Sequence, residues 1–329
     1  MAIWDPPTEI GLLLYPDVAS ATVHGLTDLF TVASTLARQR IGANAPMLRV
    51  SHWQPNSTNQ AIERAFDTHP QLTSSPTAVI VPGSFKGQPA QDVRQCLIRW
   101  LMERHTAGSS LCSVCGGAFV LAGTGLLAGR SATTHWSLMQ QLADDFPNVR
   151  VDENRLVIED GDFITAGGVL AWTDLGLMLV DRYLGPSIML ETARFMLADP
   201  PGREQRYYSN FAPKLHHGDA AVLKVQRWLQ TEATKQPSIS TMASVSGLEE
   251  RTFLRRFQKA TGLNPTQYNQ RLRVGKAREM LEFTSDTVNQ IAWAVGYDDP
   301  RSFRKVFHKV MGLSPGDYRR RFAAAQSNA

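Results

Sequence analysis

Arg251-Thr252-Phe253-Leu254-Arg255-Arg256-Phe257 returns, about fifty residues later, as Arg301-Ser302-Phe303-Arg304-Lys305-Val306-Phe307. In each stretch the two phenylalanines stand four residues apart and so share one face of a helix, while the basic residues fall elsewhere. The surroundings repeat as well. Met242-Ala243-Ser244-Val245-Ser246-Gly247-Leu248 precedes the first copy, and Ile291-Ala292-Trp293-Ala294-Val295-Gly296-Tyr297 precedes the second. Thr261-Gly262-Leu263-Asn264-Pro265 follows the first, and Met311-Gly312-Leu313-Ser314-Pro315 follows the second. Each copy reads as helix, glycine turn, helix. Gly247 and Gly296 give the backbone freedom that a sharp turn needs. Ala243 and Ala292 let the paired helices approach closely. The second helix then buries its phenylalanines and shows a basic face to solvent, as a major-groove recognition helix must. An amphipathic helix pair with a solvated basic face would explain one copy. Repetition of the turn, the aromatic pair and the Gly-Leu-x-Pro ending favours two nucleic-acid readers, joined by a long helical pattern from Thr266 to Glu282.

Charge agrees. From Pro213 onward there are 19 Lys and Arg against 10 Asp and Glu, whereas residues 1–212 hold 15 against 20. The basic half alone suits a polyanion. A length of 329 residues suggests two domains, and 43% hydrophobic residues are enough for real cores. The longest apolar stretches, such as Gly167 to Val180, are short and carry Asp174, so no membrane span is expected. Met-Ala-Ile-Trp-Asp-Pro-Pro has neither the basic start nor the apolar run of a signal peptide. Three cysteines make no disulfide framework, and a cytoplasmic location is expected.

The first 200 residues alternate apolar runs with helical patterns. Ile10 to Tyr15, Met47 to Trp53, Ala78 to Val81 and Ser110 to Val114 read as strands. Val23 to Arg38 and Gln91 to His105 read as helices. Leu156 to Ile158 and Phe163 to Thr165 form a hairpin across Asp160-Gly161, and helices close the pattern from Val169 to Leu184 and Ser187 to Leu197. This alternation implies a parallel sheet covered by helices, a flavodoxin-like α/β domain over residues 1–199. Pro200-Pro201-Gly202 stops it, and residues 200–218 read as a linker. His216 and His217 there lack a third ligand nearby, so no metal is expected. An all-α domain with two helix-turn-helix units follows over 219–325.

Ser110 to Val114 runs into Cys115-Gly116-Gly117 and then a helix, the arrangement of a nucleophile elbow. A helix N-terminus beside the sulfur would favour thiolate. Gly83 and Ser84 close another strand and could bring a backbone N–H to the same point. With His135, Trp136 and Thr165 these residues (Gly83, Ser84, Cys115 and Gly116) make a candidate ligand pocket at the strand C-termini. Cys112 and Cys115 could also be a C-x-x-C redox pair, although Cys112 points from its strand into packing; Cys115 could be plain core.

The segment from about Asp219 to Phe322 resembles the AraC/XylS DNA-binding domain, most closely in Phe307, Gly312-Leu313-Ser314-Pro315 and Tyr318-Arg319. The resemblance implies that Arg251, Thr252, Arg255, Arg301, Ser302, Arg304 and Lys305 face promoter DNA. Leu254 occupies a position where relatives often carry a polar base-contacting group. Pro300 suits the first turn of the second reader. Ser113 to Ala122, Gly125 to Arg130, Thr133-Thr134-His135-Trp136 and Asp174 resemble the PfpI-type, class I glutamine amidotransferase-like fold. The whole chain is thus similar to the GlxA family of transcription regulators. That resemblance implies a small-molecule effector, a homodimer, RNA polymerase as partner of an activator, and no cofactor.

Enzymes of the superfamily often place a histidine after the cysteine and an acid near it; here those positions hold Gly116 and, by rough alignment, Thr22. A sensor on a retired enzyme fold is therefore expected, with no catalytic residue, its effector carrying a carboxylate held by the helix N-terminus. A cysteine-dependent hydrolase or aldehyde-modifying enzyme with a DNA-binding tail is the alternative, and redox sensing through Cys115 a third reading.

Overall fold

The structure, a computed structural model, describes residues 7–231 and 236–324. The chain divides into two compact units, Met1–Gln205 and Arg206–Ala329.

The first unit begins with β1 (Thr8–Leu13), α1 (Ser20–Ile41), β2 (Leu48–Pro55), β3 (Ile62–Asp67), β4 (Ala78–Val81), α2 (Gln91–Thr106), β5 (Ser110–Val114) and α3 (Gly117–Gly123). It continues through β6 (Ser131–Ala132), α4 (Met139–Asp145), β7 (Arg150–Val151), β8 (Val157–Asp160), β9 (Phe163–Ala166), α5 (Trp172–Leu184) and α6 (Pro186–Phe195). Seven strands form one sheet in the order β3-β2-β1-β4-β5-β9-β8. The inner strands β2, β1, β4, β5 and β9 are mutually parallel, and β3 and β8 close the two edges antiparallel. All four residues of β4 are buried, because helices cover both faces of a parallel sheet. On one face Val23, Leu26 and Phe30 of α1 pack with Leu175, Leu179 and Ile188 of α5 and α6. On the other, Leu97 and Leu101 of α2 pack with Phe119 and Leu121 of α3.

The expected strands and hairpin are present. β3 lies outside the expectation: Ile62-Glu63-Arg64-Ala65-Phe66-Asp67 intersperses charges among its apolar residues, which suits an edge but hides the strand from a search for apolar runs. The order of connection matters more. From β1 the chain moves to β2 on one side, then returns across β1 to β4 on the other. The crevice above the C-terminal ends of β1 and β4 is a topological switch point, where open α/β sheets bind ligands.

The second unit holds α7 (Ala220–Thr231), α8 (Ile239–Ser246), α9 (Glu250–Thr261), α10 (Pro265–Phe283), α11 (Val288–Ala294), α12 (Pro300–Met311) and α13 (Pro315–Phe322). Its helix ends are written in the sequence. Ser238, Asn264, Thr287, Asp299 and Ser314 cap five helices through their side chains, and Gly247 turns between α8 and α9 at φ 71°. Phe253 and Phe257 centre one core with Val222 and Met242. Phe303 and Phe307 centre the other with Ile291 and Tyr318.

Residues 200–218 do not behave as a plain tether. Arg203 pairs with Asp174, the Glu204 backbone forms a short β-bridge with that of Arg155, and Gln205 is buried, all in the first unit. Phe211 packs in the α7–α9 core of the second. The run of Pro, Gly and polar residues conceals these contacts.

Candidate effector recess and DNA-binding face

Cys115 follows β5 directly and adopts φ +54°, a left-handed conformation that costs a non-glycine residue of order 1 kcal/mol. The strain is held in place from both sides. Gly117 approaches the carbonyls of Val81 and Pro82 so closely that no Cβ fits there. Thr134 Oγ1 donates to the Cys115 carbonyl at 2.8 Å, and Cys115 N–H donates to Ala166 O at 2.7 Å. Gly83 comes to the same place: a Cβ on it would lie 2.9 Å from Gly116 N and 3.1 Å from Cys115 Cβ.

A recess of about 210 Å³, its open mouth included, lies here, lined by Ala19, Thr22, Gly83, Ser84, Phe85, Cys115 and Val169. It sits at the switch point; most of that volume is the open mouth, and the enclosed space is about 10 Å³, room for about one water. Thr22 is only 1% exposed, and its Oγ1 is buried without a hydrogen-bond partner. Trp172 Nε1 is likewise buried and unpartnered; its ring rests against Gly25, one turn along α1 from Thr22.

Gly83, Ser84 and Cys115 thus meet as expected, and the Gly116 amide hydrogen-bonds toward the Cys115 sulfur. His135, Trp136 and Thr165 do not line the recess. His135 Nδ1 lies 2.7 Å from Ser137 Oγ, Trp136 N–H donates to Gln205 Oε1, and Thr165 Oγ1 accepts from Thr133 N–H. Burial drives the His135 pKa below its ordinary value, so this imidazole is neutral at pH 7. The expected thiolate is also corrected. Burial raises the Cys115 pKa and outweighs the Gly116 N–H, so the thiol form prevails near neutrality. Thr22 lines the recess beside Cys115, where the rough alignment sets it, whereas Phe85 and Val169, in the segments after β4 and β9, carry no local signal as lining residues.

The basic face in the second unit is simpler. On α9, Arg251, Leu254 and Arg255 are exposed and Thr252 is half-buried, while Phe253 and Phe257 are fully buried. On α12, Arg301, Ser302, Arg304 and Lys305 are exposed and Phe303 and Phe307 buried. Arg256 plays a different part, because its guanidinium clamps Asp219 at 2.7 and 2.8 Å. Ser302 Oγ donates to the cap residue Asp299 at 2.9 Å, and Arg304 reaches Asn289 at 2.8 Å.

α10 joins the two helix-turn-helix units over 19 residues, roughly 28 Å. Arg273, fully buried in its middle, has no signature in the sequence. Its Nε donates to Val295 O at 2.6 Å, and the guanidinium lies 3.7 Å from the Tyr297 ring centroid. Burial lowers its pKa. The residue bolts the turn of the second helix-turn-helix onto the connecting helix.

Comparison with known proteins follows this division. Residues 65–182 match the DJ-1/PfpI family, and residues 242–321 match a helix-turn-helix domain family. The HTH-type transcriptional regulator GlxA of Rhizobium meliloti is 25% identical over 296 residues, 89% of each chain. The HTH-type transcriptional regulator CdhR of Pseudomonas aeruginosa is 28% identical over 216 residues; the match spans 65% of this chain and 63% of CdhR, under two thirds of its length. Isonitrile hydratase of Pseudomonas putida is 27% identical over 178 residues, 54% of this chain and 72% of the enzyme. No helix among the described residues is long and apolar enough to cross a membrane. By fold, by exposed basic helices and by these matches together, the chain joins a domain similar to the DJ-1/PfpI family to a helix-turn-helix domain, and along most of its length it is similar to an HTH-type transcriptional regulator.

Proposed function

We propose that the recess beside Cys115 holds a small effector and that its occupancy changes how α9 and α12 bind a promoter. The observation that carries this reading is Thr22: a buried hydroxyl, unpartnered, at the wall of a recess on the switch point. Such a group costs about 1–3 kcal/mol unless something accepts its hydrogen bond. No charged residue is among those lining the recess, so the carboxylate expected from the sequence has no cationic partner there. A small uncharged molecule with a hydrogen-bond acceptor suits the site better. In this reading Arg251, Thr252, Arg255, Arg301, Ser302, Arg304 and Lys305 contact DNA, the working form is a homodimer, and RNA polymerase is the partner if regulation is positive. Residues 1–205 sense, 206–324 bind DNA, and no cofactor takes part. The test is a thermal-shift screen of small amides, nitriles, isonitriles, amines and amino acids on the full chain. A hit should raise the melting temperature of the wild type and not of Thr22→Val, and should alter binding to promoter DNA. A hit that stabilises both proteins equally refutes the site.

A second reading rests on the strained backbone of Cys115 and the likeness to isonitrile hydratase: a cysteine-dependent enzyme with a DNA-binding tail. The raised thiol pKa and the absence of any acid or histidine in the lining count against it. Turnover of a small nitrile, isonitrile or amide that vanishes in Cys115→Ala would establish it.

A further inference from the structure

Gln205 is the last residue of the first unit, and it is one of the most fully enclosed polar side chains there, 1% exposed. Its Nε2 donates to Thr134 O at 3.0 Å and Thr133 Oγ1 at 3.3 Å, and its Oε1 accepts from Trp136 N–H at 2.8 Å. Its own N–H donates to Asn154 O at 2.9 Å. The amide lies against Gly167, where no Cβ would fit. Just before it, Arg203 pairs with Asp174 and hydrogen-bonds Thr173, and the Glu204 backbone forms a short antiparallel β-bridge with that of Arg155. A surface tether needs none of this. An uncharged side chain with both amide ends satisfied, seated against a glycine, is a docked strap.

The strap touches the recess through one residue. Thr134 accepts from Gln205 through its carbonyl and donates through Oγ1 to the carbonyl of Cys115. Cys115 lines the recess and is held in a strained conformation by that contact among others. Asp174, the anchor of Arg203, lies on α5, whose approach carries the lining residue Val169. Arg206 then begins the DNA-binding unit.

We infer that residues 203–205 are a releasable strap through which the recess controls the length of chain leading into the DNA-binding unit. An occupant that displaces the Cys115 peptide weakens the Thr134 contact and with it the seat of Gln205. Three residues freed as extended chain lengthen the connection by about 10 Å. The inference rests on the effector reading of the same recess, and it adds the route by which occupancy leaves it.

Arg203 is a trypsin site inside the strap, so cleavage there reports release without any knowledge of effector or operator. The full chain is treated with trypsin before and after carbamidomethylation of Cys115 by iodoacetamide, which fills the recess. Wild type should be cut at Arg203 about tenfold faster after modification. Gln205→Leu and Gly167→Ala, one removing the amide and one blocking its seat, should be cut fast from the start and gain little more. Thr134→Val keeps the side-chain shape and loses the Oγ1 donor. It should be cut faster than wild type from the start and become insensitive to Cys115 modification. Equal cleavage of wild type and both seat variants overturns the strap. Equal acceleration by modification in wild type and Thr134→Val overturns the route through Thr134. A strap that passes these tests, in a protein whose promoter binding responds to no small molecule, would refute the effector reading instead.

Discussion

Cys115 illustrates how one residue is caught between opposed effects. Its left-handed backbone exposes the sulfur to the recess, yet burial keeps that sulfur protonated. Alkylation needs the thiolate. The rate of reaction with iodoacetamide should therefore still be climbing at about pH 9, where an ordinary cysteine, with a pKa near 8.5, is levelling off. A plateau below that pH would contradict the burial argument. Gly117 sets the same site from behind. Gly117→Ala forces its methyl into the carbonyls of Val81 and Pro82, which are backbone and cannot swing aside. We expect a loss of about 2–4 kcal/mol of stability, read by urea unfolding. Gly116→Ala meets nothing nearer than Leu138 at 3.9 Å and should be nearly neutral, which makes it the control.

At the scale of elements, the recognition helices are readable because every determinant is local. The phenylalanine pairs, the glycine turn and the caps Asn264 and Ser314 lie within a few residues of what they fix. The recess is only half readable. Gly83 and Cys115 follow strand ends that parallel register places side by side, but Thr22 arrives through α1, and no local pattern says which of its faces meets Cys115. His135 looks like a partner on proximity in sequence and instead pairs with Ser137. Arg273 is invisible for the opposite reason: an arginine in a long basic helix reads as surface. Replacing it by methionine leaves Val295 O without its donor and removes the stack on Tyr297. Arg273→Met should lower the stability of the second unit by about 1–3 kcal/mol and weaken binding to a two-site operator more than to a half-site. On the DNA face, Arg301→Ala and Lys305→Ala should each flatten the slope of log affinity against log salt by about one, if each neutralises a phosphate. Arg256→Ala should leave that slope unchanged and cost stability, because its partner is Asp219.

For the molecule as a whole, the two units differ in how they are held, and acid should separate them. The second unit rests on two aromatic cores whose ion pairs lie near the surface. The first carries a buried network at the start of its sheet. Arg49, fully buried, contacts Asp67 at 2.5 and 2.9 Å and Glu9 at 3.1 Å. Ser51 and Ser74 complete the shell around Glu9. Burial pushes the Asp67 pKa up, but hydrogen bonds from Arg49 and the His69 amide, with the charges of Arg49 and Arg64, outweigh it and leave the carboxyl below its usual range. A carboxyl with a depressed folded pKa contributes stability above its unfolded value, near 3.9, and loses it as pH falls through the folded one. As pH falls from about 5 to about 3, the first unit should therefore melt at progressively lower temperature, with the second changing less. Calorimetry should resolve two transitions that draw apart, and tryptophan emission assigns them, since Trp53 and Trp100 report the first unit and Trp228 and Trp293 the second. Asp67→Asn removes the titrating group and leaves Arg49 buried with Glu9 alone. The variant should lose about 3 kcal/mol at neutral pH and show a flatter acid response in the first transition only. If both transitions fall together in the wild type, or if Asp67→Asn keeps the wild-type pH dependence, the buried network is not what holds the first unit at low pH.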